Sequence, residues 1–155
     1  MTFARPAASR MILFRSCSQP HLNRAKSQTT ALPRLAAKRN TIRLASGPEL
    51  YAITVKHLTS YSMQALKAAG LTSAELDWVV PLQQNRNIVD KISQRLGYSR
   101  RKFIENVAEY GNTSAASIPI ALDEAVRDGR VKEGQTVLLC ALGAGLSWGA
   151  AIVRM

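Results

Sequence analysis

Residues 47–155 predict a layered α/β domain, and three observations carry that reading. Two apolar runs too short for ordinary helices, "DWVVP" (77–81) and "TVLLCAL" (136–142), are set apart by stretches whose apolar residues recur at helical spacing. Glycines stand where two of those stretches stop, at Gly70 and Gly97. The chain closes on "TVLLCAL" and "SWGAAIVR", two strand-like runs flanking a "GAG" turn. From residue 77 onward the order is β-α-β-α-β-β, which calls for a sheet with helices packed on it.

The first element is a helix over 49–69, with Tyr51, Val55, Leu58, Ala65 and Ala69 on one stripe and Gly70 as its stop. His57 lies on this helix without a nearby acid or cysteine, and reads as a structural histidine. "TSAE" (72–75) has capping-box spacing and marks a short helical turn. "DWVVP" is a buried strand halted by Pro81. A helix over about 84–96 follows, with Ile88, Ile92 and Leu96 at steps of four and Gly97 at its end. "KFIENV" (102–107) reads as a short strand. A further helix runs to about Asp128 with Ile118, Leu122 and Ala125 inward, and Pro119 is acceptable in its first turns.

The charge is unevenly placed. The 155 residues carry a formal +11, which first suggests nucleic acid or an anionic membrane. Residues 1–46 hold nine Lys or Arg and no acid, so the domain itself has 12 bases against 10 acids. The segment is rich in Arg, Ser, Ala and Thr, as organelle transit peptides are. "ARPAASRMILFRS" reads as a short basic amphipathic helix with Met11, Ile12, Leu13 and Phe14 as its apolar patch, too short for a secretory signal. Residues 1–46 are thus a transit peptide or a disordered basic tail. Nucleic-acid binding lacks aromatic interleaving or a motif to support it. No apolar stretch reaches the roughly 20 residues of a membrane span.

Cys17 and Cys140 make neither a disulfide framework nor a metal site. Cys140, inside "TVLLCAL", reads as a buried core thiol. Three loops sit where α/β folds build their sites: "PLQQN" (81–85), "YGNTS" (110–114) and "LGAGLSWG" (142–149). "GAG" has the wrong spacing for a dinucleotide fingerprint, and a strand follows it instead of a helix. Asn112-Thr113-Ser114 also fits a glycosylation acceptor, but nothing secretory accompanies it.

Together, "DWVVPLQQNRNIVDKISQRLG", "ENVAEYGNTSAASIPIALDEAVRDG" and "GQTVLLCALGAGLSWGAAIVRM" resemble the C-terminal half of β-ketoacyl-acyl-carrier-protein synthase III, a condensing enzyme of the thiolase superfamily. The resemblance covers about residues 47–155. It implies one layered half of a thiolase-like fold, a mixed sheet with helices packed on it. It implies an acyltransferase of fatty acid biosynthesis, with acyl-CoA and acyl-carrier protein as partners and no cofactor or metal. In that family a cysteine is acylated, while a histidine and an asparagine donate hydrogen bonds to the thioester oxygen.

Carried over by position, Asn112 is the catalytic asparagine, with Gly111 freeing the backbone and the Thr113 and Ser114 hydroxyls satisfying the helix start behind it. Leu82 occupies the histidine position and has no proton to give. The nucleophilic cysteine belongs to a half that this chain lacks. Asn85 matches a residue that contacts the pantetheine arm, and Ala144 offers a backbone N–H to the acyl thioester. Arg86 neighbours the position of a carrier-docking base, here Asn87; with Lys91 and Arg95 it forms either a docking surface or a solvated face. Leu142 stands beside the acyl pocket.

The expectation is therefore a synthase III-like chain inactive alone, forming a homo-oligomer or pairing with a missing N-terminal half. The alternative is a non-catalytic interaction module that binds a complete synthase or acyl-carrier protein. The compartment is cytoplasmic for a bacterial source, plastid or mitochondrial if residues 1–46 are a transit peptide.

Overall fold

A computed structural model describes residues 11–15, 47–143 and 146–155. Strand β1 is Met11–Arg15 and helix α1 is Gly47–Ala69. Then come β2 (Trp78–Pro81), α2 (Arg86–Leu96), the one-turn α3 (Val107–Tyr110) and α4 (Ser117–Arg127). Strands β3 (Thr136–Gly143) and β4 (Ser147–Arg154) complete the domain. The sheet order is β1-β4-β3-β2, with β2 parallel to β3 and the other pairs antiparallel. This is the mixed sheet the sequence predicts.

The β2–β3 register is held at both ends. At the start, Asp77 N–H donates to the Thr136 carbonyl (3.0 Å), and Asp77 Oδ2 accepts from Thr136 N–H (2.7 Å). At the end, Pro81 has no N–H to give, and Leu82 N–H donates to the Cys140 carbonyl instead (2.8 Å). Both strands are almost wholly apolar, as strands covered on both faces are, with Thr136 the polar exception at the start of β3. Val79, Leu138, Cys140 and Leu142 pack with α1 and α2, including Val55, Leu58, Ile88 and Ile92. Val80 and Val137 point the other way, onto Ala121 and Ala125 of α4. Alternation along each strand thus produces two cores and three layers.

Local signals account for the helix ends. On α1, Val55, Leu58 and Ala65 are buried, while Tyr51 and Ala69 pack at the core margin. The helix closes as Gly70 N–H reaches the Lys67 carbonyl and Leu71 N–H the Leu66 carbonyl. Glu75 accepts from Thr72 N–H (2.8 Å), the return bond of a capping box. Asn85 caps α2, its Oδ1 accepting from Asn87 N–H (2.8 Å). Gly97 ends α2 at φ +70°, where a Cβ is strained.

Two expectations fail. "KFIENV" is not a strand: Phe103 makes one bridge to Val79, Ile104 N–H donates to the Val79 carbonyl (2.9 Å), and the backbone then turns into α3. A polar Glu-Asn pair after two apolar residues does not sustain a ladder. Within "ARPAASRMILFRS", where a helix is expected, Met11–Arg15 is instead a strand along Gly149–Val153 of β4, and the rest of the stretch lies outside the described residues. Four contiguous apolar residues wrap most of the way round a helix, whereas β4 presents an open row of backbone partners. The rest of residues 1–46, with Cys17, lies outside the described residues.

Gly97→Ala should lower stability by about 1 kcal/mol, read as a lower urea midpoint at unchanged slope. An unchanged midpoint would show that the left-handed cap is not held in solution.

Candidate functional site

The carboxyl ends of β2 and β3, the start of β4 and the loop before α4 meet in a cleft of about 590 Å³. Its walls include Leu82, Gln84, Asn112, Ser114, Ile118, Leu142 and Trp148. Parallel pairing brings residue 82 beside the end of β3, since Pro81 stands level with Cys140. Leu82 and Asn112, predicted from distant segments, therefore share one cavity. Among the described residues, none that lines it is charged.

Asn112 is oriented by its own loop. Gly111 stands at φ +66°, ψ −153°, a conformation open essentially to glycine alone. Asn112 Oδ1 then accepts from Ser114 N–H (2.9 Å), closing a side-chain turn. With the oxygen held, the amide NH₂ is the end left to donate. Ser114 takes φ +55°, a costly value for a residue with a Cβ. The hydroxyls do not cap α4 as expected. Thr113 Oγ1 instead bonds Ser117 Oγ (3.1 Å), and the residue before α4 is Ala116, which has no capping side chain. A 3₁₀ turn over Ser114–Ala116 intervenes, which puts Ala116 at the capping position.

Cys140 is the one described cysteine, and it is buried. Burial pushes its thiol pKa up to about 12, so it is a core thiol and no nucleophile. Cleft residue Trp148 stacks on His57, ring centroids 3.9 Å apart, and no described group accepts from its buried indole N–H. Burial first, and then the Lys56 charge, lowers the His57 pKa. Among the described residues no three metal-ligating side chains gather, and no helix is long and apolar enough to cross a membrane.

A family profile described as 3-oxoacyl-(acyl-carrier-protein) synthase III, C terminal, matches residues 66–155. The chain belongs to this family. Over 109 residues it is 50% identical to a β-ketoacyl-(acyl-carrier-protein) synthase III of Synechocystis, covering 70% of this chain and 33% of that protein. The chloroplastic synthase III of Arabidopsis thaliana is 47% identical over 109 residues, 70% of this chain and 27% of its own length. The synthase III structure from Aquifex aeolicus superposes with a TM-score of 0.75 at 33% identity, covering 95% of this chain and 43% of that one. The thiolase-like layering is thus that of the synthase III C-terminal half, and the chain spans about a third of the length of the curated relatives it matches.

The remaining synthase III positions divide. Asn85 is exposed and occupied in capping α2, outside the cleft wall. Arg86, Lys91 and Arg95 are all exposed on α2. Lys91 and Arg95 lie one turn apart, but Arg86 is about 140° round the helix from Lys91, so the three make no single stripe. Ala144 lies outside the described residues.

Two residues went unread in "PLQQN". Gln83 is fully buried. Gln84 lines the cleft with its Oε1 buried and unpartnered by any described group. Two amides directly after a buried strand were the available signal.

Iodoacetamide at pH 8 should leave Cys140 unmodified in the folded protein and label it fully in urea, scored by peptide mass. Rapid labelling of Cys140 under native conditions would contradict its burial.

Proposed function

We propose that residues 47–155 build the C-terminal half of a decarboxylative condensing site, with Asn112 as its oxyanion donor. The reaction class is that of the synthase III relatives. A cysteine takes the acyl group of acyl-CoA, malonyl-acyl-carrier protein loses CO₂, and the enolate carbon attacks the acyl-cysteine. As the carboxylate leaves, its bonding electron pair moves onto the thioester, and negative charge grows on the carbonyl oxygen.

The observation that supports this reading is the fixed Asn112 amide. Ser114 N–H holds Oδ1, so the NH₂ group is preset toward a cleft without charged walls. A preorganised donor of this kind contributes roughly 10²–10³ in rate. The amino end of α4 behind it adds positive potential of the right sign.

Leu82 is the departure. Its hydrocarbon side chain stands at the family's histidine position, so this half contributes one side-chain donor where the family pattern has two. The thiol must come from a cysteine-bearing N-terminal half, because Cys140 is buried. On this reading the chain alone does not condense, and it works paired with that half. Acyl-CoA and acyl-carrier protein are the partners, the exposed bases of α2 offering charge to an acidic carrier and Asn85 a contact to its arm. Bacterial and chloroplastic relatives make a bacterial cytoplasm or a plastid the candidate compartments.

Leu82 also supports a second reading, a non-catalytic module that pairs with a complete synthase. One experiment separates the two. The purified chain should show no malonyl-carrier-protein decarboxylation. Residues 47–155 fused behind the first two thirds of the Synechocystis enzyme should condense slowly, and Leu82→His should raise the rate roughly 10²–10³-fold. Adding Asn112→Ala should remove most of that gain. Turnover by the chain alone, or a fusion indifferent to both changes, would overturn the catalytic reading.

A further inference from the structure

Gln83 is completely buried, and both ends of its side-chain amide are bonded. Its Nε2 donates to the Pro81 carbonyl (2.9 Å) and to the Ile104 carbonyl (3.1 Å). Its Oε1 accepts from Asn106 N–H (3.1 Å). Both N–H groups and the oxygen are therefore occupied by backbone.

The location explains the bonding. Residues 103–104 run along β2 only as far as one bridge, Val79 to Phe103, and the bond from Ile104 N–H to the Val79 carbonyl. Beyond that point the two backbones diverge. Gln83 spans the gap, its amide standing in for the missing peptide group of a ladder.

What lies downstream is the cleft. Leu82 is the preceding residue. On the other side, Asn106 leads directly into α3, its carbonyl accepting from Glu109 and Tyr110 N–H (3.1 and 3.0 Å). The Asn106 side chain donates to Glu124 of α4 (2.9 Å), which also accepts from the Tyr110 hydroxyl. Gly111 N–H closes α3 on the Val107 carbonyl (3.0 Å), and Asn112 follows. A single rigid turn, about 6 Å long, thus links the Asn106 anchor to Asn112.

We propose that Gln83 is a positioning residue that sets residue 82 and Asn112 relative to one another across the cleft. This deepens the catalytic reading of Asn112 and takes its functional meaning from it, but the geometry is testable without turnover.

The test uses the full ¹⁵N-labelled chain. In Gln83→Met, protection of the Asn106 amide against hydrogen exchange should fall roughly tenfold or more. The side-chain NH₂ resonances of Asn112 should shift or broaden at the same time. The control is Val131→Ala, a buried change in the core beside α4 at a residue that does not line the cleft. It should lower the urea midpoint and leave the Asn112 resonances in place, which a generally loosened fold would not do.

If Gln83→Met does not fold, the wild type supplies the readout. The Gln83 side-chain amide protons and the Asn106 and Gly111 amides should exchange with similar protection, as one opening unit. Unmoved Asn112 resonances in folded Gln83→Met, or an Asn106 amide exchanging far faster than Gly111, would overturn the proposal. Either result leaves the rate of the Leu82→His fusion, and so the catalytic reading, to be judged separately.

Discussion

The parallel pairing of β2 with β3 is the constraint on which the site depends. Parallel strands end at the same edge of a sheet, so the loops leaving them are forced together whatever their sequence separation. Here that brings residue 82 just past the Pro81–Cys140 pair, and the bond from Leu82 N–H to the Cys140 carbonyl fixes the meeting point at 2.8 Å. A slip of one residue would turn every β2 side chain to the opposite core. The pair of hydrogen bonds between Asp77 and Thr136 at the far end opposes that slip.

The same pairing explains why the cleft has its chemistry. Strands buried on both faces spend their side chains on two cores, Val79 and Leu138 on one, Val80 and Val137 on the other. Polar groups are left to the loops at the strand ends. Amide chemistry in the cleft then arises from Gln84 and Asn112, neither of them charged. A neutral, largely apolar cavity strengthens each hydrogen bond made inside it, because little competing solvent or countercharge is present. On the proposed reading it also makes an aliphatic group at position 82 consequential, as no ionisable side chain among the described residues lines the cleft to supply a second donor.

Much of this was legible before any coordinates. Helix ends declared themselves through Gly70, Gly97 and the Thr72–Glu75 pair because capping is local chemistry. Val79 and Val80 announced a strand covered on both sides. Asn112 and Leu82 were singled out through the resemblance to synthase III, and the fold brings them to one cleft. What stayed hidden was set by partners far along the chain. Met11–Arg15 became a strand because β4 had an open edge, and nothing near residue 11 records that edge. Gln83 looked like an ordinary loop residue, since its partners at Ile104 and Asn106 lie about twenty positions away. The Thr113 and Ser114 hydroxyls looked like caps, but Thr113 Oγ1 bonds Ser117 Oγ and Ala116 takes the capping position.

The central claim is that the Asn112 amide is held ready to donate into the cleft. It is tested most directly by titrating the ¹⁵N-labelled chain with the ketone analogue of acetyl-pantetheine, which presents a carbonyl oxygen that cannot be cleaved. The Asn112 side-chain NH₂ protons should move downfield together with the Leu82 and Leu142 methyl resonances. Saturable binding that moves those methyls and leaves the Asn112 NH₂ unchanged would contradict the assignment of that amide as the donor.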